Sequence, residues 1–341
     1  MKYPEFLKDG GKIGFIAPSF GCATYPYDER FNHALKHFHE LGFKTVEGPN
    51  ARLSAGIGKS NTPKACGDEI NEFFLNDLSD AIISCGGGEL MCEDLEYVDF
   101  ARLMTAKPKW YTGYSDNTNL TFLLPTICDI AAIYGPCVSD FGMEPWHKSV
   151  QDTFDLMRGK KRSFTNYDGW EKEGLEHDGD DPLAAYNITE PYLQKIFKGN
   201  EARFEGRLIG GCLDCLANLV GTRFDMMPAF NEKYKEDGII WFIESCDLNV
   251  MSMRRALWNL DQAGWFKYVK GFLIGRPLMH DDDFDGFRPY DAYTGILSKY
   301  DVPIIYDIDL GHLSPMIPMV SGGYAKVDAR DNDFNIEMIF K

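Results

Sequence analysis

Ser115 sits where three kinds of local structure meet, within the stretch Lys107 to Leu124. Trp110-Tyr-Thr112 reads as a buried strand, and Gly113 allows a sharp turn. Asp116, Asn117 and Thr118 are residue types that cap helix N-termini. Leu120, Phe122, Leu123, Leu124 and Ile127 then form a helical apolar stripe. A strand, turn and helix in this order lift a hydroxyl out of the backbone and aim the first helical amides at whatever it attacks. The local pattern is Gly-Tyr-Ser-Asp-Asn, without the second glycine of Gly-x-Ser-x-Gly. Serines at such junctions also act merely as helix caps, so a nucleophile needs partners elsewhere in the chain.

Three stretches could supply them. Cys85-Gly-Gly-Gly88 follows the apolar run Ala81-Ile-Ile-Ser84, at the strand end where open α/β sheets bind ligands. It is either a tight turn or a pair of bare amides facing an oxyanion. Glu244 ends the apolar strand Gly238-Ile-Ile-Trp-Phe-Ile243. A carboxylate there is costly unless paired, either with Arg254 or Arg255 or with a histidine that it orients. His312 lies on a glycine-flanked loop after the strand Val302 to Tyr306, a suitable place for a general base.

Around these residues, strands at 12–17, 43–46, 81–84, 110–112 and 131–136 alternate with helices at 28–41 and 62–75. That alternation predicts a parallel sheet with helices on both faces. The stretch from about Ser163 to Glu190 is polar and rich in Asp, Glu and Gly, including Asp178-Gly-Asp-Asp181, and reads as a linker or flap. Trp170 within it is an anchor for that segment or a stacking platform for a flat ligand. The second half begins with Arg203 to Gly211 and adds strands at 238–243, 272–274 and 302–306 and helices at 212–220 and 249–260. Gly56 to Ser60 lacks the leading glycine of a phosphate loop. The acidic run Asp281 to Gly286 has Ala292 where a calcium loop needs glutamate. His33 and His37 share a helix face but find no third ligand. No metal or organic cofactor is expected.

The chain has 341 residues, 44% of them hydrophobic, and a formal net charge of -17. That charge argues against a nucleic-acid polymer as partner, while leaving room for a nucleotide-sized ligand. No apolar run suggests a membrane span or a secretory leader. Nine scattered cysteines read as reduced thiols in a cytoplasmic protein.

Taken together, Ile16-Ala-Pro-Ser19, the Gly87-Gly88 turn, Gly113-Tyr-Ser-Asp116, Gly210-Gly211, strand-end Glu244 and Gly311-His312 resemble the serine peptidase family of LD-carboxypeptidases and microcin C self-immunity peptidases. The resemblance spans nearly the whole chain. It implies an N-terminal Rossmann-like (flavodoxin-like) parallel-sheet domain over 1–165, an interdomain segment over 166–190 and a C-terminal β-rich α/β domain over 191–341. It further implies a triad of Ser115, Glu244 and His312, with the amide of Asp116 and one from Gly87 or Gly88 as oxyanion donors. Homodimers and a small peptide or aminoacyl-nucleotide substrate are implied as well. The carboxypeptidase branch commonly has an arginine shortly after the Gly-Gly turn, where this chain has Glu93. That departure favours the immunity-like branch, which cleaves an amide joining an acidic amino acid to a nucleotide. Glu93, Asn117 and Trp170 are the candidate substrate contacts.

Overall fold

The computed structural model describes residues 1–175 and 181–341. Part of the acidic stretch Asp178-Gly-Asp-Asp181 therefore lies outside the described residues. Two sheets carry the molecule. In the first, Lys44–Glu47, Lys12–Ile16, Ala81–Ser84, Trp110–Gly113 and Ala132–Tyr134 run parallel in that spatial order, as the strand–helix alternation predicts. The helices Tyr27–Glu40 and Pro63–Leu75 lie on its opposite faces, the second opened by the Thr62 hydroxyl, which accepts from the Ala65 amide. In the second sheet, Glu201–Cys212, Ile239–Glu244, Val269–Gly275 and Ile304–Ile308 are parallel and antiparallel strands flank them. The fold is mixed α/β, with the β-rich part in the C-terminal half.

Each sheet receives a strand from the other half of the chain. Met319–Ser321 pairs antiparallel with Ala132–Tyr134 of the first sheet. Ser163–Thr165 pairs with Asp333–Ile339 of the second. The segment expected as a linker contains its own two-stranded ribbon, Gly169–Glu171 against Ile188–Pro191, so Trp170 stands on a strand.

One core joins the two sheets and two others lie beneath the outer helices. Strand alternation sorts side chains between them. Along Ile239–Glu244, Trp241 and Ile243 face the helices Leu213–Leu219 and Val250–Gln262, whereas Ile240 and Phe242 face the first sheet. Glu244 continues that second series and so points at the first sheet.

The helix expected after Ser115 is broken. A 3₁₀ turn over Ser115–Asn117 leads into a single α-turn, Thr118–Thr121, and then a π-turn over Leu124–Cys128. Pro125 explains the break. It donates no backbone hydrogen bond, and its ring crowds the carbonyl four residues earlier. No helix among the described residues is long and apolar enough to cross a membrane.

Phe242 is fully buried and its ring centroid lies 5.7 Å from that of Tyr134 in the first sheet. Phe242→Ala removes this contact between sheets and should cost about 3–5 kcal/mol. Urea denaturation should show a lower midpoint with an unchanged slope.

Candidate active site

Ser115 adopts φ +62°, the left-handed region that a non-glycine residue rarely enters. The sequence placed the turn on Gly113, but the strained residue is the serine itself. Gly113 serves differently, since a Cβ there would stand 2.7 Å from Cγ of Asn117. The strain is held by hydrogen bonds on both sides of the peptide. The Ser115 N–H donates to the Tyr134 hydroxyl at 3.1 Å, and its carbonyl accepts from the Thr118 hydroxyl at 2.7 Å. Thr118 in turn accepts the Cys212 N–H at 3.0 Å, which ties the junction to the second sheet. Gly211, at φ +144°, lets that strand come so close, because a Cβ would meet the Thr118 methyl at 2.6 Å.

The structure brings Ser115, His312 and Glu244 into one line of hydrogen bonds. Ser115 Oγ lies 2.9 Å from His312 Nε2, and His312 Nδ1 lies 2.8 Å from Glu244 Oε2. Glu244 is wholly buried, and its other oxygen, Oε1, accepts from the Tyr134 hydroxyl. Neither arginine weighed as its partner is used this way; the Arg254 guanidinium donates to the carbonyls of Asp291 and Ala292. Gly311, at φ +99°, admits this contact, since a Cβ there would sit 2.6 Å from Glu244 Oε2. Burial works against a charged His312, but Glu244 and the Cys246 thiol outweigh it and raise its pKa well above 6.5. The Tyr114 ring packs edge-on against the imidazole at 5.2 Å between centroids.

The Gly87-Gly88 turn faces the hydroxyl. A Cβ on Gly87 would lie 3.0 Å from Ser115 Oγ. Gly88, at φ +140°, leaves room for Ser19, whose hydroxyl a Cβ would approach to 2.2 Å. Ser19 and the Met91 N–H both hold a carboxylate oxygen of Asp116, so the Ile16-Ala-Pro-Ser19 stretch fixes the residue after Ser115. Burial pushes the pKa of Asp116 up.

The three candidate substrate contacts lie apart. Asn117 is fully buried: its Oδ1 accepts from Tyr111, and its Nδ2 donates to the carbonyls of Gly86 and Tyr114. Its amide is occupied in pinning the turn, which corrects the expectation that it touches substrate. Glu93 pairs with Lys59 and is absent from the lining of the Ser115 pocket, which Glu89 and Cys92 reach instead. Trp170 lines a second cleft, of about 390 Å³, with Arg276, His280, Tyr290 and Tyr306. The Arg276 guanidinium lies 5.2 Å from its ring centroid and the His280 ring meets it edge-on at 5.4 Å. The cleft and the pocket are built on loops that follow adjacent parallel strands, Val269–Gly275 and Ile239–Glu244.

Tyr134, Asp214, Cys246 and Asp247 were not singled out in the sequence. Tyr134 gives no signal there, being one aromatic in an apolar strand. The other three follow glycine pairs or strand ends, the positions where α/β sheets collect functional groups. Among the described residues, no group of three His, Cys, Asp or Glu side chains converges to hold a metal ion.

Comparison with known proteins gives this geometry its context. A putative carboxypeptidase of Vibrio cholerae is 28% identical over 99% of this chain and 98% of its own length. The microcin C7 self-immunity protein MccF of Escherichia coli is 26% identical, covering 97% and 94%. A probable murein peptide carboxypeptidase of Bacillus subtilis is 24% identical, covering 98% and 94%. Among solved structures, an MccF-like protein from Bacillus anthracis superposes with a TM-score of 0.83 at 23% identity, covering both chains completely. MccF in complex with aspartyl sulfamoyl adenosine gives 0.82 at 23% identity, covering 99% and 98%, and both likenesses establish the fold. Models of the LD-carboxypeptidase N-terminal and C-terminal domains match residues 13–135 and 205–327. The chain therefore belongs to the LD-carboxypeptidase family of serine peptidases.

Proposed function

We propose that this chain is a serine hydrolase that cleaves an amide bond, with Ser115 as nucleophile, His312 as general base and acid, and Glu244 as the group that orients His312. The observation that carries this reading is the unbroken line from Ser115 Oγ through His312 to Glu244. A serine hydroxyl is a weak nucleophile at neutral pH, so Nε2 of His312 takes its proton as Oγ attacks the carbonyl carbon. The resulting imidazolium is stabilised by Glu244, and its proton passes to the leaving nitrogen as the C–N bond breaks. Water then attacks the acyl-serine by the same route. Negative charge on the tetrahedral oxygen would meet the amides of Asp116 and of Gly87 or Gly88. Loss of one such donor typically costs about 3–4 kcal/mol in the barrier.

Within the family, the reading best supported is hydrolysis of aminoacyl-nucleotide conjugates. Among the described residues neither Lys nor Arg lines the Ser115 pocket to receive the terminal carboxylate of a murein peptide, and Glu93 is held by Lys59. The Trp170 cleft beside the pocket offers an aromatic ring and is large enough for a nucleoside. Removal of a terminal D-amino acid from murein tetrapeptides is the second reading, favoured by the likeness to the Bacillus subtilis carboxypeptidase. A homologue that binds such ligands without turnover is the third.

Purified protein given an aminoacyl sulfamoyl adenosine and a muramyl tetrapeptide side by side should cleave the first, as read by mass spectrometry. Ser115→Ala should lower kcat at least about 10³-fold. Release of D-alanine would favour the second reading, and turnover of neither substrate, with no fluorophosphonate labelling of Ser115, the third.

The raised pKa of His312 has a direct kinetic consequence. Its neutral form is the base, and Glu244 keeps it protonated to higher pH. The acid limb of kcat/KM should therefore lie above pH 6.5, with activity rising with pH. Glu244→Gln should move that limb to lower pH while cutting kcat by about 10³–10⁴-fold. A limb that stays in place would remove Glu244 from this role.

Trp170 is assigned to the nucleobase. Base–aromatic stacking is worth about 1–3 kcal/mol, so Trp170→Ala should raise KM for a nucleotide conjugate at least fivefold. A substrate without a base should be little affected. Equal effects on both would remove the assignment.

A further inference from the structure

Every charged side chain lining the Ser115 pocket, among the described residues, is acidic, and His312 beside Ser115 is the basic group that meets them. Glu89, Asp116, Asp214 and Asp247 line the pocket, no lysine or arginine among the described residues does, and none of the four forms an ion pair with a described residue. Two of them are held by their surroundings. Asp214 accepts the amides of Cys246 and Asp247 and the hydroxyl of Ser245, while Asp116 is held by Ser19, Met91 and Asn119. The other two are exposed. Asp247 receives only the Cys246 thiol, at 3.6 Å, and Glu89 has no donor among the described residues. Burial raises the pKa of Glu89, and the nearby charges of Asp247, Asp116 and Asp214 raise it further.

A second observation in the same pocket points the same way. Asn119 is 2% exposed and lines the pocket. Its Nδ2 donates to Asp116, but its buried Oδ1 accepts from nothing. A buried acceptor without a donor is costly to leave unmatched, and Asn119 Oδ1 finds none among the described residues. A metal ion does not fill this need, because among the described residues no three ligands converge. A group with several N–H donors and a positive charge does.

From this arrangement we propose that the acyl residue carried on Ser115 is basic: the substrate is a lysyl-type aminoacyl conjugate rather than an aspartyl one. This rests on the hydrolase reading above and departs from the acidic acyl group bound in the MccF complex. Every aminoacyl group brings an α-ammonium, which one carboxylate can meet. The remaining carboxylates attract a second ammonium and repel a side-chain carboxylate, for which no lysine or arginine lines the pocket among the described residues. Like charges brought together in a partly dehydrated site are strongly disfavoured.

The test compares lysyl, leucyl and aspartyl sulfamoyl adenosines on the whole protein, with Ser115 labelling by a fluorophosphonate as an independent readout. The expected order of kcat/KM is lysyl, leucyl, aspartyl, with lysyl ahead of aspartyl by at least about 100-fold. Asp247→Lys and Glu89→Lys, both at exposed positions, should each shrink that ratio at least tenfold. A wild type that cleaves the aspartyl conjugate as fast as the lysyl one overturns the proposal and leaves the hydrolase reading standing. So does a ratio that neither reversal changes. Cleavage of none of the three with an unlabelled Ser115 overturns both.

Discussion

The site depends on a buried carboxylate reached from two directions. Glu244 ends a strand with no water around it, and an ionised group there survives only if both oxygens are matched. One oxygen takes His312 from its own half of the chain, the other takes Tyr134 from the facing sheet. The Tyr134 hydroxyl also receives the Ser115 amide, so a single phenol touches both Glu244 and the backbone of Ser115. The cost of burying Glu244 thus becomes a means of alignment: the sheets find their registry where its second oxygen is satisfied. Around that point, glycines at 87, 211 and 311 remove the side chains that would hold the parts away from one another.

Strain and support are balanced at Ser115. A left-handed serine is unfavourable in isolation, and such conformations persist only where surrounding contacts over-determine them. Here its N–H, its carbonyl and the following carboxylate are each fixed by a residue from a different strand or loop. The hydroxyl is then presented without any rearrangement to complete the line to His312.

Much of this was legible in the residues. Short apolar runs located the strands Ala81–Ser84 and Trp110–Gly113, and the helix Pro63–Leu75 was placed to within a residue or so, because each is bounded by glycine, proline or a capping threonine. Glu244 stood out because it breaks an apolar strand at its end, Ser115 because it follows a strand and a turn, and His312 because it lies on a glycine-flanked loop past a strand. What remained hidden was orientation. In Ile239–Glu244 both faces are apolar, so alternation could not tell which core Phe242 or Glu244 would face. Asn117 stands two residues after Ser115, yet the 3₁₀ turn points it into the core. Glu93 lies near the Gly-Gly turn in sequence, but the short helix Met91–Tyr97 carries it toward Lys59. The Tyr134 contact is 110 residues from Glu244 along the chain, and no local pattern announces such a pair.

The exchange of edge strands between the sheets bears on how the protein can be taken apart. Met319–Ser321 closes a sheet built from the first 134 residues, and Ser163–Thr165 closes one built mostly from the last 141. Severing the chain in the interdomain segment would leave each piece lacking a border strand and displaying unpaired amides and carbonyls, a template for aggregation. The two halves are consequently not interchangeable modules. The line from Ser115 through His312 to Glu244 is split between them and exists only where both are present.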